Sequence, residues 1–116
     1  MVDKLLGLLN QIKIYHWQTK SYAEHKALGK AYEALDGLVD TFIESYMGST
    51  GSKIKAGFKL SLVDYTPKSG IELMNQAETF LRGEVENSLS GKTELLNIRD
   101  EMLGVVQQTK YLLSLS

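Results

Sequence analysis

With 116 residues, 43% of them apolar and 23% charged, the chain has the size and balance of one globular domain with a core of its own. It contains no cysteine, which excludes disulfides and thiolate metal sites, and with a formal net charge of −1 a general electrostatic grip on nucleic acid is not expected. No apolar run approaches the ~20 residues that span a bilayer, and the opening MVDKLLGLLNQIKIYHW is broken by Asn10, Gln11 and Lys13, as a secretory signal is not. The cytoplasm is therefore the expected compartment.

Leu5, Leu8, Leu9, Ile12 and His16 recur at helical spacing and predict a first helix over 3–19. Ser21 and Glu24 form a capping box that starts a second helix, 21–47, with Leu28, Ala31, Leu35, Leu38, Val39, Phe42 and Tyr46 as its apolar stripe. GSTGS stops it. Ser69 and Glu72, just after Pro67, read as a second capping box, opening a third helix over 70–89 that Gly91 ends. The fourth helix, 92–114, turns Leu95, Ile98, Met102, Val105, Val106 and Leu112 to one side. Short breaks join the first helix to the second and the third to the fourth, so the expectation is an all-α four-helix bundle in a single domain, 1–116.

The long connection from Gly48 to Ser69 stands apart. Its stretch IKAGFKLSL alternates Ile54, Ala56, Phe58, Leu60 and Leu62 with Lys55, Gly57, Lys59 and Ser61. Period two predicts an extended crossover along the bundle with one face buried, able to serve as a strand at a subunit contact. Lys53, Lys55 and Lys59 make a small basic patch, read as a solvated strand face.

On a wheel at about 100° per residue, His25, Glu33, Asp36, Asp40 and Glu44 fall on the side of the second helix opposite its apolar stripe. A charged stripe is most often a solvated face, and Glu33 and Asp36 are read so. His16 lies on the apolar side of the first helix, where a histidine is most often a core residue bonded to a backbone carbonyl. Trp17 beside it reads as packing at a helix interface.

The stretch HWQTKSYAEHKALGKAYEALDGLVDTFIES resembles the signature region of the Dps family, the mini-ferritins. His16-Trp17 match that family's His-Trp pair at the end of the first helix, and His25 matches the histidine early in the second. Asp40 and Glu44, within LVDTFIES, match its Asp and Glu one turn apart. The resemblance covers about thirty residues and implies a ferritin-like bundle that binds non-haem iron and oxidises Fe(II), with His16, His25, Asp40 and Glu44 as metal ligands and catalytic residues. Imidazole plus carboxylate suits Fe(II). No lysine-rich tail is present, so the family's DNA binding is not expected here.

One geometric demand is independent of the resemblance. Asp40 follows His25 by fifteen residues, about 22 Å along a helix. One chain cannot gather all four side chains on one ion, but an antiparallel, two-fold-related second copy can, so a homodimer or larger homo-oligomer is expected with two sites per interface. His25, in the first turn of its helix, is then expected to carry little structural duty. The Glu-x-x-His motif of iron sites inside a single bundle is absent, since Lys13 and Tyr22 stand three residues before the histidines. The competing reading is a non-enzymatic bundle with a structural or protein-binding role.

Overall fold

The computed structural model describes residues 1–116 and consists of four helices with no strand. They are α1 (Val2–Gln18), α2 (Tyr22–Thr50), α3 (Ser69–Phe80, continued by a π-helical turn Leu81–Val85) and α4 (Thr93–Ser114). Each buries one apolar stripe in a common core: Leu5 and Ile12 of α1, Leu28, Leu35 and Phe42 of α2, Met74 and Leu81 of α3, and Leu95, Met102 and Val106 of α4. No helix is long and apolar enough to cross a membrane.

Contacts at the two ends of the bundle give its topology. At one end a Cβ placed on Gly70 would stand 3.1 Å from Leu113 and 3.8 Å from Glu24, so α3 begins where α2 begins and α4 ends. At the other end Lys4 pairs with Glu84 at 2.6 Å, and Lys92 Nζ donates to Ser49 Oγ at 2.8 Å. The helices thus run up, down, down, up. The crossover 51–68 carries the chain back along the bundle, whose longest dimension is 43 Å.

Several helix ends differ from expectation. Ser21 caps α2 by accepting the Glu24 amide at 3.2 Å, but the reciprocal half of the box is absent, because Ser21 N–H donates to Thr19 Oγ1 and the Glu24 side chain is buried. At its C-terminus α2 runs three residues past Met47. Gly51 closes it in the left-handed conformation (φ 74°), and its amide donates to the Met47 carbonyl. Ser69 is no cap at all. It is the first residue of α3, and its hydroxyl accepts from the amide of Thr66 at 2.7 Å.

The third helix is not the uniform run the periodicity predicts. A π-helical turn carries an i→i+5 pattern and leaves carbonyls free for other donors. Arg99 of α4, only 7% exposed, uses this: its Nη1 donates to Leu81 O at 3.0 Å and to Glu86 Oε1 at 2.9 Å, while its Nε meets Asp100 at 2.9 Å. The guanidinium pins the bulge to the neighbouring helix.

The crossover also departs from expectation. Residues 51–64 are all exposed and form no strand, so the apolar face is covered only in part. Ile54, Phe58, Leu60 and Leu62 remain 38–41% exposed, with Leu60 lying near Gly7 of α1. Firm anchoring comes later, where Gln11 brackets Val63, accepting its amide and donating to its carbonyl at 2.9 Å each, and Gln18 accepts the Tyr65 amide at 2.7 Å.

Replacing Arg99 by Met keeps the length and apolar stem but leaves the Leu81 carbonyl without its donor. We expect a loss of roughly 2 kcal/mol in chemical denaturation. An unchanged midpoint would show that Arg99 does not hold the π turn.

Candidate functional site

The last carbonyls of a helix have no donor within it, and His16 sits in the final turn of α1. Its carbonyl accepts from His25 Nδ1 at 2.7 Å, and the His25 carbonyl accepts from His16 Nδ1 at 2.7 Å. A carbonyl only accepts, so in each neutral imidazole the proton is assigned to Nδ1 and the lone pair to Nε2. The two rings stack, with centroids 3.9 Å apart and planes 14° from parallel. Tyr22 lies against the outer side of His25 at 6.3 Å.

This packing depends on Gly29. A Cβ there would stand 2.9 Å from His16 Cε1 and 3.2 Å from its Nδ1. Glycine in a helix interior costs up to about 1 kcal/mol relative to alanine, and here it makes the space in which the imidazole lies flat on α2. The sequence alone does not mark this contact, since Gly37 in the same helix is equally bare and meets nothing.

Both histidines are half-buried and border a cleft of about 580 Å³ that Lys26, Lys30 and Glu33 line with them. Beneath the turn lies a buried carboxylate, Glu24, whose Oε1 has no hydrogen-bond partner. Hydrogen bonding to Glu24 holds the Tyr65 phenol above its usual pKa.

Asp40 and Glu44 are exposed, one turn apart on α2. They share a face with Glu33 and Asp36, and none of the four forms an ion pair within the chain. One protomer therefore brings His16 and His25 together and leaves Asp40 and Glu44 about 22 Å further along the helix; no three His, Asp or Glu side chains gather within it to hold a metal ion.

Two expectations need correction. His25 has structural duty, because it caps α1 and stacks on His16. Trp17 is not packed within the chain: it is 64% exposed, with Lys13 Nζ 5.6 Å from its ring and 4.4 Å from that of Tyr32.

Residues 16–113 match DUF5856, a family of unknown function. The chain belongs to this family. The DUF5856 match takes in His16, His25, Asp40 and Glu44. The chain is also similar to the uncharacterized 14.6 kDa protein in the mobD-ri intergenic region of Enterobacteria phage T4, at 32% identity over 119 residues, covering 97% of this chain and 88% of that protein. No solved structure matches it.

Long-range ¹H–¹⁵N spectra of the neutral protein should show both imidazoles as Nδ1–H tautomers. Gly29→Ala should abolish that signature for His16 and cost a net ~0–2 kcal/mol, overpacking of roughly 1–3 kcal/mol less about 1 kcal/mol regained in helix propensity. Identical ring spectra in the variant would mean that the close approach is unimportant.

Proposed function

We propose that this DUF5856 protein is a Dps-like, ferritin-like iron-binding protein that oxidises Fe(II) at sites shared between two-fold-related subunits. The observation that carries the reading is the reciprocal exchange at His16 and His25. A histidine that ligates a metal usually donates its other ring N–H to a carbonyl or carboxylate, which sets the tautomer and the ring orientation. Both histidines meet that condition and keep Nε2 for an ion.

Charge distribution supports the shared geometry. The turn end of the α1–α2 hairpin carries Lys13, Lys20, Lys26 and Lys30, while α2 from its midpoint on carries Asp36, Asp40 and Glu44, with Glu33 between the two groups. An antiparallel second copy lays the acidic half over the basic end, twice, across one two-fold axis. Asp40 and Glu44 of the mate then bring two further anionic oxygen ligands to a cleft that holds Lys26 and Lys30 and one carboxylate, Glu33. Fe(II) is the substrate, and dioxygen or peroxide takes its electron. His16 and His25 hold and orient the ion, and the carboxylates favour the higher charge of the product.

A second reading has its own observation. The same exchange satisfies both histidines and staples the hairpin without any metal, as a non-enzymatic bundle of structural or protein-binding role requires.

Anaerobic titration with Fe(II) separates the two. The iron reading predicts about one or two ions per two-fold interface, with binding weakened most by Asp40→Asn or Glu44→Gln. Their exposed side chains lead us to expect an unchanged thermal midpoint in both variants. If the parent takes up no iron, or if all the loss tracks unfolding in His16→Ala and His25→Ala while the carboxylate variants bind normally, the structural reading stands.

A further inference from the structure

The crossover offers an unused hydrogen-bonding edge. From Lys53 to Leu62 no backbone amide or carbonyl makes a hydrogen bond within the chain. Val63 turns both of its groups to Gln11 of α1. In an extended chain these groups alternate between the two edges, so with Phe58–Leu62 extended those of Leu62, Leu60 and Phe58 turn away from α1. Leu60 faces Gly7, and with Phe58–Leu62 extended Phe58 and Leu62 share its side while Lys59 takes the other. An unpaired edge of this length is a template for another strand.

We infer that the occupant is the same segment of a second copy, paired antiparallel about Phe58. The argument is one of register. Centred on Phe58, the pairing sets Phe58 against Phe58, Ala56 against Leu60 and Ile54 against Leu62, all on the face toward the two bundles. On the outer face Gly57 meets Lys59, Lys55 meets Ser61 and Lys53 meets Val63, so no lysine opposes another. Moving the centre back one residue sets Lys55 against Lys59, and moving it forward one residue sets Lys59 against itself. Like charges directly opposite destabilise a strand pair, so these neighbouring registers are disfavoured. In the extended conformation Phe58 turns its amide and carbonyl to the free edge, as the central hydrogen-bonded pair requires.

Gly57 has φ 98°, which would interrupt a ladder. Glycine passes to an extended φ without steric cost, and nothing lies within 4 Å of a Cβ placed there. The two-stranded ribbon covers apolar side chains that the protomer leaves partly exposed, and it leaves the lysines in water. It does not depend on the metal reading, and the two are measured separately.

The chain has no cysteine, so single cysteines report the register directly. Directly opposed residues in a hydrogen-bonded pair have Cα atoms about 5.5 Å apart, within reach of a disulfide. Phe58→Cys should oxidise to a covalent dimer at least tenfold faster than Lys55→Cys, whose own mates lie six residues apart along the ribbon. An equimolar mixture of Lys55→Cys and Ser61→Cys chains should link as a heterodimer and retains Phe58. Ala56→Pro removes one ladder amide without breaking any bond in the protomer, and should slow linking of the Lys55→Cys and Ser61→Cys pair at an unchanged thermal midpoint. Linking of Phe58→Cys no faster than Lys55→Cys, together with no heterodimer from the mixture, would overturn the inference and leave the edge to an extended segment of another protein.

Discussion

His16 and His25 exchange hydrogen bonds across the turn between α1 and α2, and the placement of the second helix follows from that exchange. The carbonyl that α1 leaves without a partner is satisfied by the first turn of α2, and a ring from each helix stacks on the other. Gly29 lets α2 approach closely enough for this. With the two helices locked in register, Lys13 comes over Tyr32 and the long α2 projects its acidic residues along the outer face of the hairpin. A helix of 29 residues converts a local bond at one end into a fixed position for Asp40 and Glu44 far from it.

The same economy appears at the bundle's other junctions. Polar groups freed by irregular backbone are met by a side chain from a neighbouring element: the Leu81 carbonyl of the π turn by Arg99, and Val63 of the crossover by Gln11. Backbone groups outside regular ladders need partners, and these contacts supply them while tying two elements together. Glu24 is the exception, since one of its oxygens is buried without a protein partner beside Tyr65.

Helical periodicity made the four elements legible, because each helix has a single buried stripe that repeats in step with its turn. The Ser21 cap was legible for the same local reason. What the sequence did not reveal depended on contacts between elements. Ser69 fits a capping box, yet its hydroxyl is engaged by Thr66. The apolar spacing through Leu81 and Val85 reads as an α-helix, while Arg99, eighteen residues on from Leu81, sustains a π turn. The alternation in the crossover was visible, but period two does not say whether a partner covers the segment. The candidate ligands were found through residue types and a family likeness. Their exchange of hydrogen bonds was not, because it needs the turn conformation and the absence of a side chain at Gly29. The separation of Asp40 from His25 was legible, since helix rise alone sets it.

The central claim is that one chain supplies imidazoles and its mate supplies carboxylates. Complementation tests it most directly. A His16→Asn/His25→Asn chain, whose side-chain amides can still donate to the two carbonyls but lack Nε2, and an Asp40→Asn/Glu44→Gln chain should each bind no Fe(II) alone. After random subunit exchange the mixture should recover about a quarter of the parent's sites, because half of the two-fold pairs are mixed and each mixed pair rebuilds one site of two. A mixture that binds no more iron than its separate components, while subunit exchange is confirmed by mass, would contradict it.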